Sequence, residues 1–307
     1  MRTGPSARKG TSVDFANPPG APAFLGPQSL QWRIYKNPVA LTVGGVCAVL
    51  LEFADPRIRS GVWDHSTYKI DPIGRSERTG LAAMVGVYGP KETAEKMIAG
   101  ITRMHSRVEG HTPDGQPYRA MDPELLNWVY ATAAYGFLKA YNRFVTPLSD
   151  QEQARFWNSG EDIAALYGVT QTPTSEDDFL AMMEGLAPGF EPHPINREFL
   201  QIIESSDSAP GVPRFIRRAI ARGAVSLLPP IVREKLALGP DYNLTLLDRM
   251  TLRCMGFVAE RKYDPASAPA RASERLGLPG NFLWRSAAEQ QRLLGTARPA
   301  TAETQTG

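Results

Sequence analysis

One histidine stands out because it lies on the apolar face of a predicted helix. Within the stretch from Gly89 to Gly110, apolar residues recur every three or four positions, and His105 shares their face. The members of this stripe are Ala94, Met97, Ile98, Ile101, Met104, His105 and Val108. A neutral imidazole facing a protein interior needs a hydrogen-bond partner or a metal to offset its lost hydration. Spacing alone favours a core histidine bonded to a main-chain carbonyl; the alternative is an axial ligand of haem iron, which leaves no spacing signature.

Two guanidinium groups and a hydroxyl lie together on the preceding predicted helix. Arg75, Arg78 and Thr79 share one face because they are three and four positions apart. The same face continues with the small residues Ala82, Ala83 and Gly86. Small residues let a flat macrocycle approach, and arginines at the end of such a face can hold propionates or polarise bound oxygen. Spacing alone favours the alternative, a solvated first turn that pairs with Asp71 and Glu77 beside ordinary helix packing.

The other histidines and the common sequence motifs point to no further chemistry. His65 follows Asp64 and precedes Ser66, but neighbours in the chain point apart, so a cap or turn is expected instead of a catalytic triad. His111 and His193 fall in loops rich in Pro and Gly. The sequence holds no HExxH, CxxC, GxGxxG or P-loop motif, which removes the usual signals for zinc, redox, dinucleotide and nucleotide sites.

Composition limits the classes of partner. The chain has 34 basic and 32 acidic residues, a net charge of +2 and 42% hydrophobic residues, as expected of a soluble globular protein without a nucleic-acid partner. Cys47 and Cys254 stand in apolar surroundings, which predicts buried thiols and a cytoplasmic location. The most apolar run, Pro38 to Phe53, is shorter than the roughly 20 residues that cross a bilayer. We therefore expect a buried helix and no transmembrane segment.

The organisation predicted is all-α, a single helical domain over residues 26–295 with a flexible arm at 1–25 and a disordered tail at 296–307. Alternation with period two is scarce, whereas helix caps recur along the chain. The predicted helices span about 38–53, 74–89, 89–110, 122–144, 149–167, 196–205, 212–227, 231–238 and 244–260, and a shorter one is capped by Thr174 or Ser175 and includes Met182 and Met183. The Asp55-Pro56 pair is expected to end the first, and Gly110 the third.

Over residues 26 to 238 the chain resembles the family of rubber oxygenases (latex clearing proteins) and mycophenolic-acid-pathway oxygenase catalytic domains. Short fragments carry this resemblance in order. They are Gly26-Pro27, Ser29, Trp32-Arg33, Asp55-Pro56-Arg57, Asp64-His65-Ser66, Asp71-Pro72, Gly74-Arg75, Arg78-Thr79, Arg103-Met104-His105, Val108 to Gly110, Asp122 to Leu126, Trp128-Val129, Ala131-Thr132, Tyr141, Phe144, Pro147-Leu148-Ser149 and Leu227 to Pro230.

The resemblance implies a globin-like helical core that holds b-type haem, with His105 at the proximal iron position. Arg75 and Thr79 would match the arginine and threonine of the haem-side helix, and Arg78 would complete a catalytic group with them. The implied activity is that of a haem-dependent oxygenase that uses dioxygen on an apolar substrate, an isoprenoid or another unsaturated lipid, with oxidative cleavage of a carbon–carbon double bond.

Three positions depart from the family pattern. Arg78 falls where rubber oxygenases carry a lysine that can coordinate iron, but a guanidinium stays protonated and has no lone pair to give. Tyr130 and Asp55 each stand where many relatives have histidine. The sequence does not show which residue of this chain corresponds to the acidic residue that serves as base in the family. The remaining alternatives are a haem carrier or sensor without turnover and a haem-free helical module that binds a hydrophobic ligand or a protein.

Overall fold

A computed structural model of the chain describes residues 13–205, 207 and 209–296. Its helices are α1 (Leu30–Tyr35), α2 (Pro38–Ala54), α3 (Pro56–His65), α4 (Pro72–Tyr88), α5 (Lys91–His105), α6 (Pro123–Phe144), α7 (Asp150–Trp157), α8 (Glu161–Leu166), α9 (Glu176–Leu186), α10 (Pro194–Glu204), α11 (Arg214–Val225), α12 (Pro230–Lys235), α13 (Leu246–Arg261), α14 (Ala268–Arg275) and α15 (Ala287–Thr296). Short 3-10 turns connect several of them. The predicted all-α class is confirmed.

The centre of the domain is the crossing of α2 and α6, the most extensive contact between two elements. Gly44 of α2 and Gly136 of α6 meet there, and a methyl group added at Gly44 would lie 2.6 Å from the Gly136 carbonyl oxygen. Two glycines thus let the backbones touch where any larger side chain would separate them. Helices α10, α11 and α13 pack around the same core.

Asp55 connects α2 to α3 at a bend of 106°. Its carboxylate accepts a hydrogen bond from the Arg57 backbone N–H at 2.8 Å and pairs with the Arg57 guanidinium at 2.7 Å. Proline at position 56 fits the first turn of a helix because that position needs no N–H donor. The predicted end of α2 is confirmed, whereas the helix that begins at Pro56 was not predicted.

Two predicted helices end earlier than the sequence pattern suggested. The Ser149 capping box is present, but α7 ends at Trp157 with Asn158 as its C-cap. Gly160, in the left-handed conformation with φ of 100°, then precedes a separate helix, α8. Helix α5 ends at His105, and Gly110 belongs to an antiparallel hairpin of β1 (Glu109–His111) and β2 (Pro117–Arg119). The expectation that Gly110 ends the helix was wrong.

A second apolar cluster joins the two ends of the described chain. Its buried members are Trp32, Val87, Tyr88, Ala272, Leu278, Phe282 and Leu283. Beside it the buried Arg275 donates hydrogen bonds to the carbonyl oxygens of Phe15, Ala21 and Tyr88, at 2.7 to 2.9 Å. Residues 13–25, part of the segment expected to be a flexible arm, are held by these bonds. Residues 1–12 of that arm, and the expected tail beyond Thr296, lie outside the described residues.

The two cysteines differ in their surroundings. Cys47 is buried in the core, as predicted, but Cys254 is exposed on α13, so the prediction of two buried thiols was wrong for Cys254. The cytoplasmic location inferred from both stays a prediction. In the described part of the chain, no single helix combines the length and apolar character needed to cross a bilayer; only α2 and α3 taken together satisfy both, with the bend between them.

Candidate functional site

The α4–α5 hairpin brings Arg75 and His105 into the same region. Only two residues separate the helices, so they run antiparallel and the first turns of α4 lie beside the last turn of α5. His105 is half-buried. Burial lowers the pKa of its imidazole, and the positive charge of Arg75 lowers that pKa further. The side chain of His105 makes no hydrogen bond with any residue that the structure describes, so the main-chain partner expected of a core histidine is missing there.

Arg75 interacts electrostatically with an acidic group from another helix, Glu52 of α2. Burial lowers the pKa of the Arg75 guanidinium, while the charge of the Glu52 carboxylate opposes that shift. No ion pair within 4 Å and no side-chain hydrogen bond joins Arg75 to the described residues. The N–H donors of this half-buried guanidinium are therefore available for an anionic or oxygen-bearing group.

Glu52 is the functional candidate that the sequence analysis missed. It lies in the last turn of α2, and burial raises the pKa of its carboxyl to about 7, although the charge of Arg75 and a hydrogen bond from Thr132 both lower it. The Thr132 hydroxyl lies 3.5 Å from Glu52 Oε1. A half-buried carboxyl that titrates near neutral pH can accept and release a proton. The available signal was the one acidic residue within the most apolar run of the sequence, Pro38 to Phe53.

Two buried polar atoms in the same region have no partner among the described residues. One is the hydroxyl of Tyr68, a side chain that is 3% exposed and stays neutral because burial raises the pKa of its phenol. The other is the Thr102 hydroxyl, one turn before His105 on α5. Such atoms cost free energy unless water or a bound group satisfies them. With the unpartnered His105 and Arg75, they form a set of polar groups that fits a bound prosthetic group.

Arg78 and Thr79 lie at the outer edge of this region. Arg78 is exposed, donates a 2.6 Å hydrogen bond to the Thr67 hydroxyl and lies 3.6 Å from the Asp71 carboxylate. The exposed Thr79 hydroxyl donates to the Arg75 carbonyl oxygen at 3.1 Å. The structure therefore brings Arg75 and His105 together, and leaves Arg78 in the solvated arrangement with Asp71 that was the structural alternative.

The remaining histidines lie elsewhere. His65 and His111 are exposed, and His193 caps α10 by accepting a hydrogen bond from the Ile195 backbone N–H at 3.2 Å. Across residues 13–205, 207 and 209–296, no group of three or more His, Cys, Asp or Glu side chains is arranged to hold a metal ion.

Residues 32–261 match the family model described as the ER-bound oxygenase mpaB/B'/rubber oxygenase catalytic domain. The chain belongs to this family. The match extends from α1 to the last residue of α13 and includes Glu52, Arg75, His105 and Thr132. The resemblance identified from the sequence is thereby confirmed, and it reaches further toward the carboxyl terminus than the fragments indicated. No curated protein and no solved structure matches the chain.

Proposed function

We propose that this family member is a haem-dependent oxygenase that uses dioxygen to cleave a carbon–carbon double bond in an isoprenoid or another unsaturated lipid. The family supports an oxygenase that acts on an apolar substrate. The observation that carries the haem assignment is the half-buried imidazole of His105, which lacks a partner among the described residues and adjoins Arg75. When bound, haem iron supplies the oxygen chemistry that amino-acid side chains lack.

His105 is suited to hold iron in this proposal because its surroundings keep the ring neutral. Metal binding requires a free nitrogen lone pair, which protonation removes. Burial and the Arg75 charge both lower the pKa of His105 and so increase the fraction of the metal-binding form at neutral pH. A porphyrin needs only one such protein ligand, which agrees with a single imidazole at this place.

The cationic and hydroxyl groups of α4 would bind and orient. Arg75, whose donors are free of partners in the described chain, would hold a haem propionate or an oxygen atom that carries negative charge. Arg78 and Thr79 would act from the exposed edge, where they could orient a propionate or a water molecule. Arg78 would not bind iron, because a guanidinium has no lone pair to donate.

Glu52 would accept and release a proton during the reaction. With a pKa of about 7, its carboxyl carries the proton on an Oε atom in slightly acidic solution and accepts one there in slightly alkaline solution. The Arg75 charge stabilises the ionised form. The Thr132 hydroxyl lies 3.5 Å from Oε1 and donates to the Val129 carbonyl oxygen at 2.8 Å. We therefore place the general base that the sequence left unassigned at Glu52.

The cofactor is tested by visible absorption of protein expressed with a haem precursor. We expect a Soret band in the parent protein, its loss or strong displacement in His105→Ala, and its retention in His111→Ala, which removes an exposed histidine in β1. A colourless parent protein would identify the haem-free helical module. Equal spectra for the parent and His105→Ala would contradict His105 as the iron ligand.

The reaction is tested with squalene, an unsaturated isoprenoid, and squalane, its saturated counterpart. The proposal predicts oxygen consumption and carbonyl products, detected by mass spectrometry, with squalene alone, and their loss in Glu52→Gln. Haem absorption without oxygen-dependent products from squalene or other unsaturated lipids would favour the carrier or sensor instead. Equal oxygen consumption with squalane would contradict cleavage at a double bond.

A further inference from the structure

Helix α13 carries an apolar face on the outside of the domain. Its large exposed side chains are Leu246, Leu247, Met250, Phe257 and Val258, with exposed fractions from 53% at Phe257 to 71% at Leu246. At about 100° per residue, these side chains and the exposed Cys254 fall within an arc of about 120°, so they form one surface. We call this surface the α13 face. A contiguous apolar patch of this kind on a folded domain marks a place where something binds.

The exposed charges of α13 itself are all positive, and the nearest exposed acids in the sequence, Asp241 and Asp264, lie outside the helix. Arg249, Arg253 and Arg261 are exposed on the helix, whereas its two acids turn inward. Asp248 pairs with Arg222 at 3.2 Å, and Glu260 pairs with Lys36 at 2.9 Å. The exposed side of α13 therefore presents three guanidinium groups and no carboxylate.

Neighbouring α11 extends the same character. Arg222 joins α11 to α13 through Asp248, and Phe215 and Arg218 precede it by seven and four positions on the same face of α11. Both side chains are exposed, Phe215 to 57%. An apolar side chain and an arginine thus recur beside the α13 face.

The composition of the chain argues against two possible occupants. Residues 1–12 and 297–307 contain Met1 as their single large apolar side chain, so neither segment could fill an apolar surface of this size. A second copy in a two-fold arrangement would place the arginines of one α13 against those of the other without an exposed carboxylate on either helix. Phosphate headgroups supply the missing negative charge, and the boundary between headgroups and acyl chains accepts the apolar side chains.

We infer that the α13 face docks the domain onto an anionic lipid surface, with the helix lying in the plane of the interface. The apolar side chains would insert at the headgroup boundary, and Arg249, Arg253 and Arg261 would contact lipid phosphates. This inference is independent of haem, because α13 packs on α2, α6 and α11 and contributes none of the residues assigned to the oxygenase site.

Cys254 provides a direct probe of docking. A thiol-reactive, environment-sensitive dye labels Cys254 in the folded protein, since Cys47 is buried, and Cys254→Ser serves as the unlabelled control. We expect a blue shift of dye emission on vesicles of phosphatidylcholine mixed with phosphatidylglycerol, and none on phosphatidylcholine alone. Added salt should weaken the shift because it screens the arginines. An unchanged spectrum on the anionic vesicles would overturn the inference.

Vesicle cosedimentation of unlabelled protein separates the contribution of the apolar side chains from that of the arginines. The double variant Leu247→Ser, Phe257→Ser should weaken vesicle binding on the order of tenfold. The double variant Arg249→Gln, Arg253→Gln should weaken it about fivefold for each arginine removed. The matched controls Ile231→Ser and Arg155→Gln change exposed residues of α12 and α7 and should bind like the parent. Circular dichroism checks that every variant is folded.

Three outcomes would overturn the docking surface: no binding of the parent protein to anionic vesicles, equal binding of parent and face variants, or equal losses in the two controls. Analytical ultracentrifugation tests the second-copy occupant. A dimer of the parent that becomes monomeric in the Leu247→Ser, Phe257→Ser variant would assign the α13 face to self-association instead.

Discussion

At the scale of single residues, the candidate site is a set of polar groups whose pKa values are shifted in opposite directions. Burial raises the pKa of Glu52 and lowers that of His105, so both side chains favour their neutral forms more than they would in water. Arg75 opposes the shift at Glu52 and adds to the shift at His105. The position of one guanidinium therefore influences both a proton acceptor and a metal-binding nitrogen.

Glu52→Gln should stabilise the protein in a pH-dependent way. The pKa of Glu52 is about 7 in the fold against an ordinary value of 4.5, so the folded state binds the proton more tightly and stability falls as pH rises between these values. Glutamine does not titrate and can still accept from Thr132. Urea unfolding should give a gain for Glu52→Gln of about 1 to 2 kcal/mol at pH about 8, after allowance for partial exposure, and little gain at pH about 4.

The exposed Glu77, on α4, provides the matched control for this measurement. Glu77→Gln should change the free energy of unfolding by less than about 0.5 kcal/mol at either pH. A gain for Glu52→Gln that is equal at both pH values would contradict a raised pKa at this carboxyl.

At the scale of elements, the close crossing of α2 and α6 determines which residues can meet. Glu52 lies two turns beyond Gly44 on α2, and Thr132 lies one turn before Gly136 on α6. The glycine contact therefore holds the helices at the separation that brings the Thr132 hydroxyl to 3.5 Å from the Glu52 carboxyl. Gly44 and Gly136 thus support the site indirectly, because the absence of side chains lets the two backbones approach closely.

Gly136→Ala should force the two helices apart. A methyl group there would overlap the Gly44 carbonyl oxygen, and a backbone atom cannot move aside as a flexible side chain can. We expect a loss of about 2 to 4 kcal/mol in the free energy of unfolding, measured with urea. Gly185→Ala is the control, because a methyl group there meets nothing within 4 Å inside α9; it should stabilise by about 0.5 to 1 kcal/mol. Equal effects of the two substitutions would contradict the role of the crossing.

At the scale of the whole molecule, Arg275 connects segments that are more than 180 positions apart in sequence. From α14, its guanidinium donates hydrogen bonds to two main-chain carbonyls of the amino-terminal segment and to one at the end of α4. Burial without a carboxylate partner at hydrogen-bond distance lowers its pKa to about 10. The α13 face lies on the outside of the same domain, so one fold carries both the oxygenase site and the inferred lipid contact.

Arg275→Met should release residues 13–25 from the domain. Methionine keeps the apolar stem but leaves three carbonyl oxygens without their donor, at an expected cost of about 3 kcal/mol or more. We expect faster chymotrypsin cleavage after Phe15 and Phe24, together with a lower midpoint of thermal unfolding. Arg271→Met, a change at an exposed position of the same helix, should leave both measurements near those of the parent. Unaltered cleavage in Arg275→Met would show that other contacts hold the segment.

The sequence by itself determined the all-α class, most of the longer helices and the family, because the signals are local; α1, α3, α14 and α15 were not predicted. Caps such as Asn37, Asp122 and Ser149 act on the next three residues, so α2, α6 and the start of α7 follow from short-range pattern. His105 was identified as a candidate from its place on one helix face. These inferences needed no knowledge of how the helices pack.

Only the tertiary structure decided which of those residues meet. Glu52 and Thr132 are 80 positions apart, and their contact depends on the α2–α6 crossing. The raised pKa of Glu52 reflects burial by several helices, and the exposure of Cys254 depends on which side of α13 faces the core. Burial is a property of the packed chain, so periodicity indicates that a helix has an apolar face but does not show whether another element covers it.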